Sequence, residues 1–175
     1  MAVLPIVKYG DPLLRKRTRK VTDIQSLQPL LEDMFETMYE EEGMGLAANQ
    51  VGLDLNFAVI DITHNDEDDY PRVIVNPEIL ETSGDYDMEE GCLSIPEIRA
   101  TISRPEKILV QYQDETGEIH KEYVEGLLAR VIQHEVDHLN GVYYIDHLTP
   151  TKLAILDKRL SEISEKGVPS SGITL

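Results

Sequence analysis

Residues 134–138 read His-Glu-Val-Asp-His. On a helix, four steps of roughly 100° return the second histidine to within about 40° of the first, one turn further along. Both imidazoles can then reach one metal ion. Glu135, one step round from His134, stands where a base could hold a metal-bound water and take its proton. The bland alternative is a pair of ordinary helix histidines. With 5 His in 175 residues, a chance H-E-x-x-H has a probability on the order of 1%, which favours the metal.

A catalytic metal site needs a third protein ligand and one open position. The metzincin pattern asks for a glycine three residues after the second histidine and a histidine six after it. Gly141 meets the first demand and Tyr144 fails the second. Another zincin pattern takes a glutamate some twenty-odd residues downstream. Glu162 and Glu165 are the candidates, and Glu162 sits beside the apolar stripe of a predicted helix. Cys92 is the better ligand. It lies in Glu90-Gly91-Cys92-Leu93-Ser94, just before a predicted strand. A thiolate binds Fe(II), Zn or Ni strongly, and the flanking Gly91 lets the backbone pass close to an ion. Alone, one cysteine reads as a small buried hydrophobe; beside two ligating histidines it reads as a ligand.

A third segment, residues 43–50, reads Gly-Met-Gly-Leu-Ala-Ala-Asn-Gln. It fits G-x-G-x-x-A, but that dinucleotide fingerprint follows a strand and opens a helix. Here the segment follows a predicted helix and leads into a predicted strand. Small residues also let a backbone lie against a ligand, where its N–H and C=O groups can bind an extended peptide. Gln50 then offers a side-chain amide.

The elements that must position these residues follow from periodicity. Leu27, Leu30, Leu31, Met34, Phe35 and Met38 form one stripe of a helix over 26–42, with Gly43 expected as its left-handed cap. Leu127, Leu128, Val131, Ile132, Val136 and Leu139 fill the stripe of a helix over 126–140, ended by Gly141. A third helix starts at Thr149, an N-cap followed by Pro150, and carries Leu153, Leu156, Leu160 and Ile163. Strands are predicted at 57–63, 72–76, 98–104, 107–114 and 118–124, the last two as a hairpin about 114–117. The acidic stretch 64–69 reads as an exposed loop between two strands. The expected class is α+β: mostly antiparallel sheets around a central metal-binding helix, with an N-terminal and a C-terminal helix. Residues 1–166 are expected to form one catalytic domain and 167–175 a frayed tail.

Composition narrows the class of function. Lys plus Arg is 16 against 33 Asp plus Glu, a net charge of −17, which argues against a broad phosphate-gripping face. One cysteine precludes an intrachain disulfide. No segment approaches the ~20 apolar residues of a membrane helix. The apolar start precedes its first base, Lys8, the wrong order for a signal peptide, so the expected location is the cytoplasm.

Residues 43–50 (GMGLAANQ), 90–94 (EGCLS) and 133–141 (QHEVDHLNG) resemble, in order and spacing, the three signature motifs of the peptide deformylases. The resemblance covers nearly the whole chain, including the opening VKYGDPLLRKR, the stretch SIPEIRATISRPEKILVQYQD and the terminal helix. It implies that Cys92, His134 and His138 bind one divalent metal, natively Fe(II), with Zn(II), Ni(II) or Co(II) accepted, and a water as fourth ligand. It implies Glu135 as general base and then acid, and the Leu93 N–H and Gln50 amide as stabilisers of the oxyanion. The implied reaction removes formyl from the N-terminal formyl-Met of nascent peptides and releases formate. The implied partners are those peptides and, as a candidate, the ribosome near the peptide exit, with no nucleic-acid readout and no membrane.

Met88, Leu127 and Val131 fall at family positions lining a pocket for the formyl-Met side chain. Met44, Gly45, Glu90, Gly91 and Arg99 join them as substrate-binding candidates. Leu127 and Val131 are one turn apart and on the stripe of His134 and His138. A thiolate ligand makes the ion a milder Lewis acid, so Glu135 is expected to be indispensable. Two rivals weaken against these residues. A zinc endopeptidase wants the ligand that Tyr144 replaces. A structural zinc site wants four protein ligands, and His64, His120 and His147 stand in unrelated contexts.

Overall fold

A computed structural model describes residues 2–166; the tail 167–175 expected to fray lies outside them. Seven strands form two antiparallel sheets. β1 (Gly45–Ala47), β2 (Phe57–Ile60), β3 (Arg72–Ser83), β6 (Lys107–Gln113) and β7 (Ile119–Glu125) build one, in the order β1-β2-β3-β6-β7. β4 (Tyr86–Cys92) and β5 (Ile95–Arg104) build a separate hairpin. The helices are α1 (Gln28–Glu40), α2 (Gly126–Leu139) and α3 (Pro150–Lys166). The α+β class and the antiparallel pairing are as expected.

Successive side chains of a strand point to opposite faces, and here both faces are covered. Phe57 and Val59 of β2 pack with Leu31, Met34 and Met38 of α1. Ala58 and Ile60 pack with Ala129, Val131, Ile132 and Val136 of α2. The continuous apolar run Phe-Ala-Val-Ile is what a strand buried on both faces requires. A third cluster joins Ile95, Ile98 and Ile102 of the hairpin to Tyr143, Tyr144, Leu160 and Ile163. Helix α2 is packed on the five-stranded sheet by one side and hydrogen-bonded to the hairpin by another. That double cover buries even its polar residues Arg130, Gln133, His134, Glu135 and His138.

Several boundaries differ from expectation for physical reasons. β1 and β4 were not expected as strands. β1 is three small or apolar residues with no period to read, and β4 (YDMEEGC) is largely polar because its outer face is exposed. β3 runs on to Ser83 through irregularities at Val75/Glu78 and Ile79/Glu81. The left-handed residue after α1 is Glu42, with φ 58°, not Gly43. Gly43 N–H instead donates to the Met38 carbonyl at 2.9 Å, and Glu42 N–H to Tyr39 at 3.0 Å, the six-to-one and five-to-two bonds of a Schellman end. Thr149 does cap α3, its Oγ1 accepting from Lys152 N–H at 3.3 Å. Among the described residues no helix is long and apolar enough to cross a membrane.

Candidate active site

Helix α2 presents His134 and His138 from one face, and the tight turn between β4 and β5 brings Cys92 against them. Cys92 Sγ lies 3.1 Å from His138 Nε2, and one donor atom from each of the three residues falls within 4.8 Å of the others. All three side chains are buried. His134 Nδ1 is 3.0 Å from Glu90 Oε1. With Glu90 ionised, the ring donates from Nδ1 and keeps its lone pair on Nε2, a buried atom with no hydrogen-bond partner. Tyr144 stacks on the His134 ring and Tyr143 meets His138 edge-on. A thiol and two oriented imidazoles form a donor set that suits one divalent transition-metal ion. A second group, Asp114, Glu118 and His120, is also close-set but lies at an exposed turn.

The electrostatics favour a cation there. Burial pushes the Cys92 thiol up to about 12, against the opposing backbone N–H of Ser94. A bound cation is what would return it to thiolate. Burial, and then the charge of His134, hold His138 well below its ordinary value, in the neutral form that binds metal. Burial raises Glu135 well above the usual carboxylate range, while the charge of Arg104 opposes the shift. Glu90 goes the other way. Burial works to raise it, but hydrogen bonds from His134 and Arg104 prevail and keep it ionised.

Residues 43–50 close the site from the far side. Gln50 is held by its Oε1, which accepts from Ala47 N–H at 3.0 Å. Its Nε2 faces Ser94 Oγ at 3.1 Å and Cys92 Sγ at 3.5 Å. Asn49 Nδ2 donates to the His138 carbonyl at 2.7 Å, pinning this segment to α2. Gly45 lies flat against Glu135: a Cβ there would sit 2.5 Å from Glu135 Oε2. Leu93 follows Cys92 in the turn and is buried.

The structure gathers some of the substrate-binding candidates and separates others. Met44 and Leu127, both half-buried, pack on the cluster that contains Val131. Val131 itself is fully buried. Met88 is half-buried on β4, opposite Ile102, outside that cluster. Arg99 Nε donates to Glu89 at 2.7 Å, and its guanidinium covers Gly91, where a Cβ would lie 2.9 Å from Nη1. Three residues that the sequence reading passed over belong to the surroundings of the site: Arg104, Arg130 and Ser94. Arg130 stands one turn before His134 on α2, a spacing that does not by itself set it apart from a surface arginine.

A sequence model described as polypeptide deformylase matches residues 3–154. A protein of Xanthomonas axonopodis pv. citri named peptide deformylase 2 is 46% identical over 166 residues, covering 93% of this chain and 96% of that one. The crystal structure of a peptide deformylase from Legionella pneumophila superposes with a TM-score of 0.84 at 42% identity, covering 93% of this chain and 95% of that one. A Synechococcus elongatus peptide deformylase, solved in complex with actinonin, gives 0.84 at 41%, covering 91% and 89%. Fold and site define a hydrolase of the H-E-x-x-H type. The chain belongs to the peptide deformylase family, enzymes that use a single metal to remove the N-formyl group from nascent peptides.

Proposed function

We propose that Cys92, His134 and His138 hold the single metal ion of this deformylase, natively Fe(II) with Zn(II), Ni(II) or Co(II) accepted, and that Glu135 is its general base. The observation that carries this reading is the buried convergence of the three donors, with the buried Glu135 carboxylate lying against Gly45. A bound divalent ion would supply Lewis acidity, lowering the pKa of a water and polarising the formyl carbonyl. Glu135 takes the proton from the attacking water and returns it to the departing amine. A bound cation beside it would offset the burial that raises its carboxyl above the usual range. Gln50 Nε2 and the Leu93 N–H donate to the oxygen on which negative charge develops. Each such donor is worth roughly 3 kcal/mol in comparable acyl-transfer sites.

The formyl-Met side chain enters beside Met44 and Leu127, which pack over the buried Val131, with Met88 at the margin. Glu90, Gly91 and Arg99 flank the peptide, and Gly45 keeps the wall thin where the formyl group must approach Glu135. Residues 1–166 work as one catalytic domain in the cytoplasm, on N-formylmethionyl nascent chains close to the ribosomal exit. The test is formate release from formyl-Met-Ala-Ser by protein loaded anaerobically with Fe(II), beside Zn-loaded protein and Glu135→Gln. The variant is expected to keep its metal and lose at least about 1,000-fold in kcat. An empty site in Glu135→Gln would make Glu135 a ligand instead, and a rate near wild type would remove it as the base.

A further inference from the structure

We propose that Arg130 is a positioning residue for the metal centre. It sets the separation between the hairpin that carries Cys92 and the helix that carries His134 and His138, and it holds the carboxylate that orients His134. This rests on the reading of those three residues as the ligands.

Arg130 is fully buried on α2, one turn before His134. Its Nη1 donates to Glu90 Oε2 at 2.5 Å and to the Ile102 carbonyl at 3.0 Å. Its Nη2 donates to the Tyr86 carbonyl at 2.7 Å, and its guanidinium carbon lies 4.5 Å from the Tyr86 ring centroid. One side chain of the helix thus grips both strands of the hairpin. Glu90, equally buried, is the hub. Its Oε2 also accepts from Arg104 Nε at 2.6 Å, and its Oε1 accepts from Arg104 Nη2 at 3.0 Å and faces His134 Nδ1.

Arg104 does not duplicate Arg130. It belongs to β5, so its bonds to Glu90 stay within the hairpin. Its own link to α2 runs to Asp137, which is 24% exposed. Arg130 is the fully buried guanidinium that joins α2 to the hairpin, beside the Glu90–His134 contact whose carboxylate it holds. Without it the carboxylate can swing about Arg104, and the buried Ile102 carbonyl and the half-buried Tyr86 carbonyl lose this donor, so the hairpin has reason to shift away from the helix. The guanidinium reaches these three acceptors from two nitrogens held in one plane, whereas an ammonium donates from a single atom and cannot reproduce that spread. Groups that orient metal-bound imidazoles change metal affinity by about 10–100-fold when removed.

The experiment loads wild type, Arg130→Met and Arg130→Lys with Ni(II) and follows metal loss to excess chelator. Arg72→Met serves as comparator. That arginine is also buried, in an ion pair with Asp69 at 2.6 Å, but touches neither the hairpin nor a ligand. Arg130→Met is expected to release metal about 10–100-fold faster than wild type. Arg130→Lys should lie between, and Arg72→Met should melt earlier yet release at the wild-type rate. Should Arg130→Met fail to fold, Arg130→Lys carries the test alone: faster release supports the proposal and wild-type release overturns it. Release from Arg130→Met at the wild-type rate, or equal acceleration by Arg72→Met, also overturns it. A Cys92→Ser variant that holds Ni(II) as firmly as wild type would instead sink the ligand reading.

Discussion

At Gly45 a single methyl group decides whether Glu135 can stay where it is. The Cβ of an alanine would sit 2.5 Å from Glu135 Oε2 and 2.9 Å from its Cδ, far inside van der Waals contact. Glu135 is fully buried and its carboxylate lies where that Cβ would be, so Gly45→Ala must displace the carboxylate within the site. A displacement near 1 Å costs about 100-fold in rate. The expected result is a kcat lower by that order with metal content unchanged, read by elemental analysis beside formate release. Normal kcat would mean that Glu135 need not lie against this wall. The sequence showed the ligand-type residues because their chemistry is rare and their spacing is fixed by the helix. It did not show why position 45 is glycine, since the clash is with a residue 90 positions away in the chain. Arg130 escaped for a similar reason: on a helix surface it would be ordinary, and only burial beside Glu90 gives it meaning.

Among the elements, α1, α2 and α3 were legible because their stripes repeat at helical spacing, and the β6–β7 hairpin because Asp-Glu-Thr-Gly breaks its two runs. β1 and β4 were not, because a strand of three small residues and a strand with one wet face lack the pattern that marks strands. Helix phase makes a prediction on α2. Leu127 is half-buried and packs, like Met44, on the cluster that contains Val131, whereas Val131 itself is fully buried. Leu127→Phe should therefore narrow the side-chain pocket with little loss of stability, raising KM for formyl-Met peptides about tenfold. Val131→Phe would instead overpack the core and cost about 1–3 kcal/mol. An unchanged KM in folded Leu127→Phe would place the pocket elsewhere.

The hairpin turn predicts a pH dependence. Asp114 accepts from Thr116 N–H at 2.8 Å, Thr116 Oγ1 at 2.6 Å and His120 Nε2 at 2.7 Å. The Thr116 hydroxyl first, and then His120, hold its folded-state value below the ordinary 3.8, against a burial effect that raises it. Its stabilisation is complete above 3.8 and fades as pH falls through the lower folded value. His120 is raised above 6.5, chiefly by its bond to Asp114, so its share fades as pH rises through that higher value. The stability gap between wild type and Asp114→Asn should be widest between these limits and narrow on both sides. Urea midpoints at about pH 3, about pH 5 and about pH 9 check this. A gap that stays constant would show that the turn gains nothing from the charge.

At the scale of the whole molecule, the three proposed ligands and the residues packed around them come from parts of the chain far apart in sequence. Cys92 and His138 are 46 residues apart, Gln50 and Cys92 are 42 apart, and Asn49 reaches 89 residues to α2. Closing such loops has an entropic cost that local contacts cannot repay, so they belong to the slow part of folding. The isolated α2 segment has two imidazoles and no third donor. Only when the hairpin has docked does the thiol arrive to complete the set. With the proposed ligand set, firm metal retention is therefore a checkpoint on the finished fold. A chain that collapses with the hairpin misplaced has at most a two-point grip on its ion, and remains without catalytic power until it corrects itself.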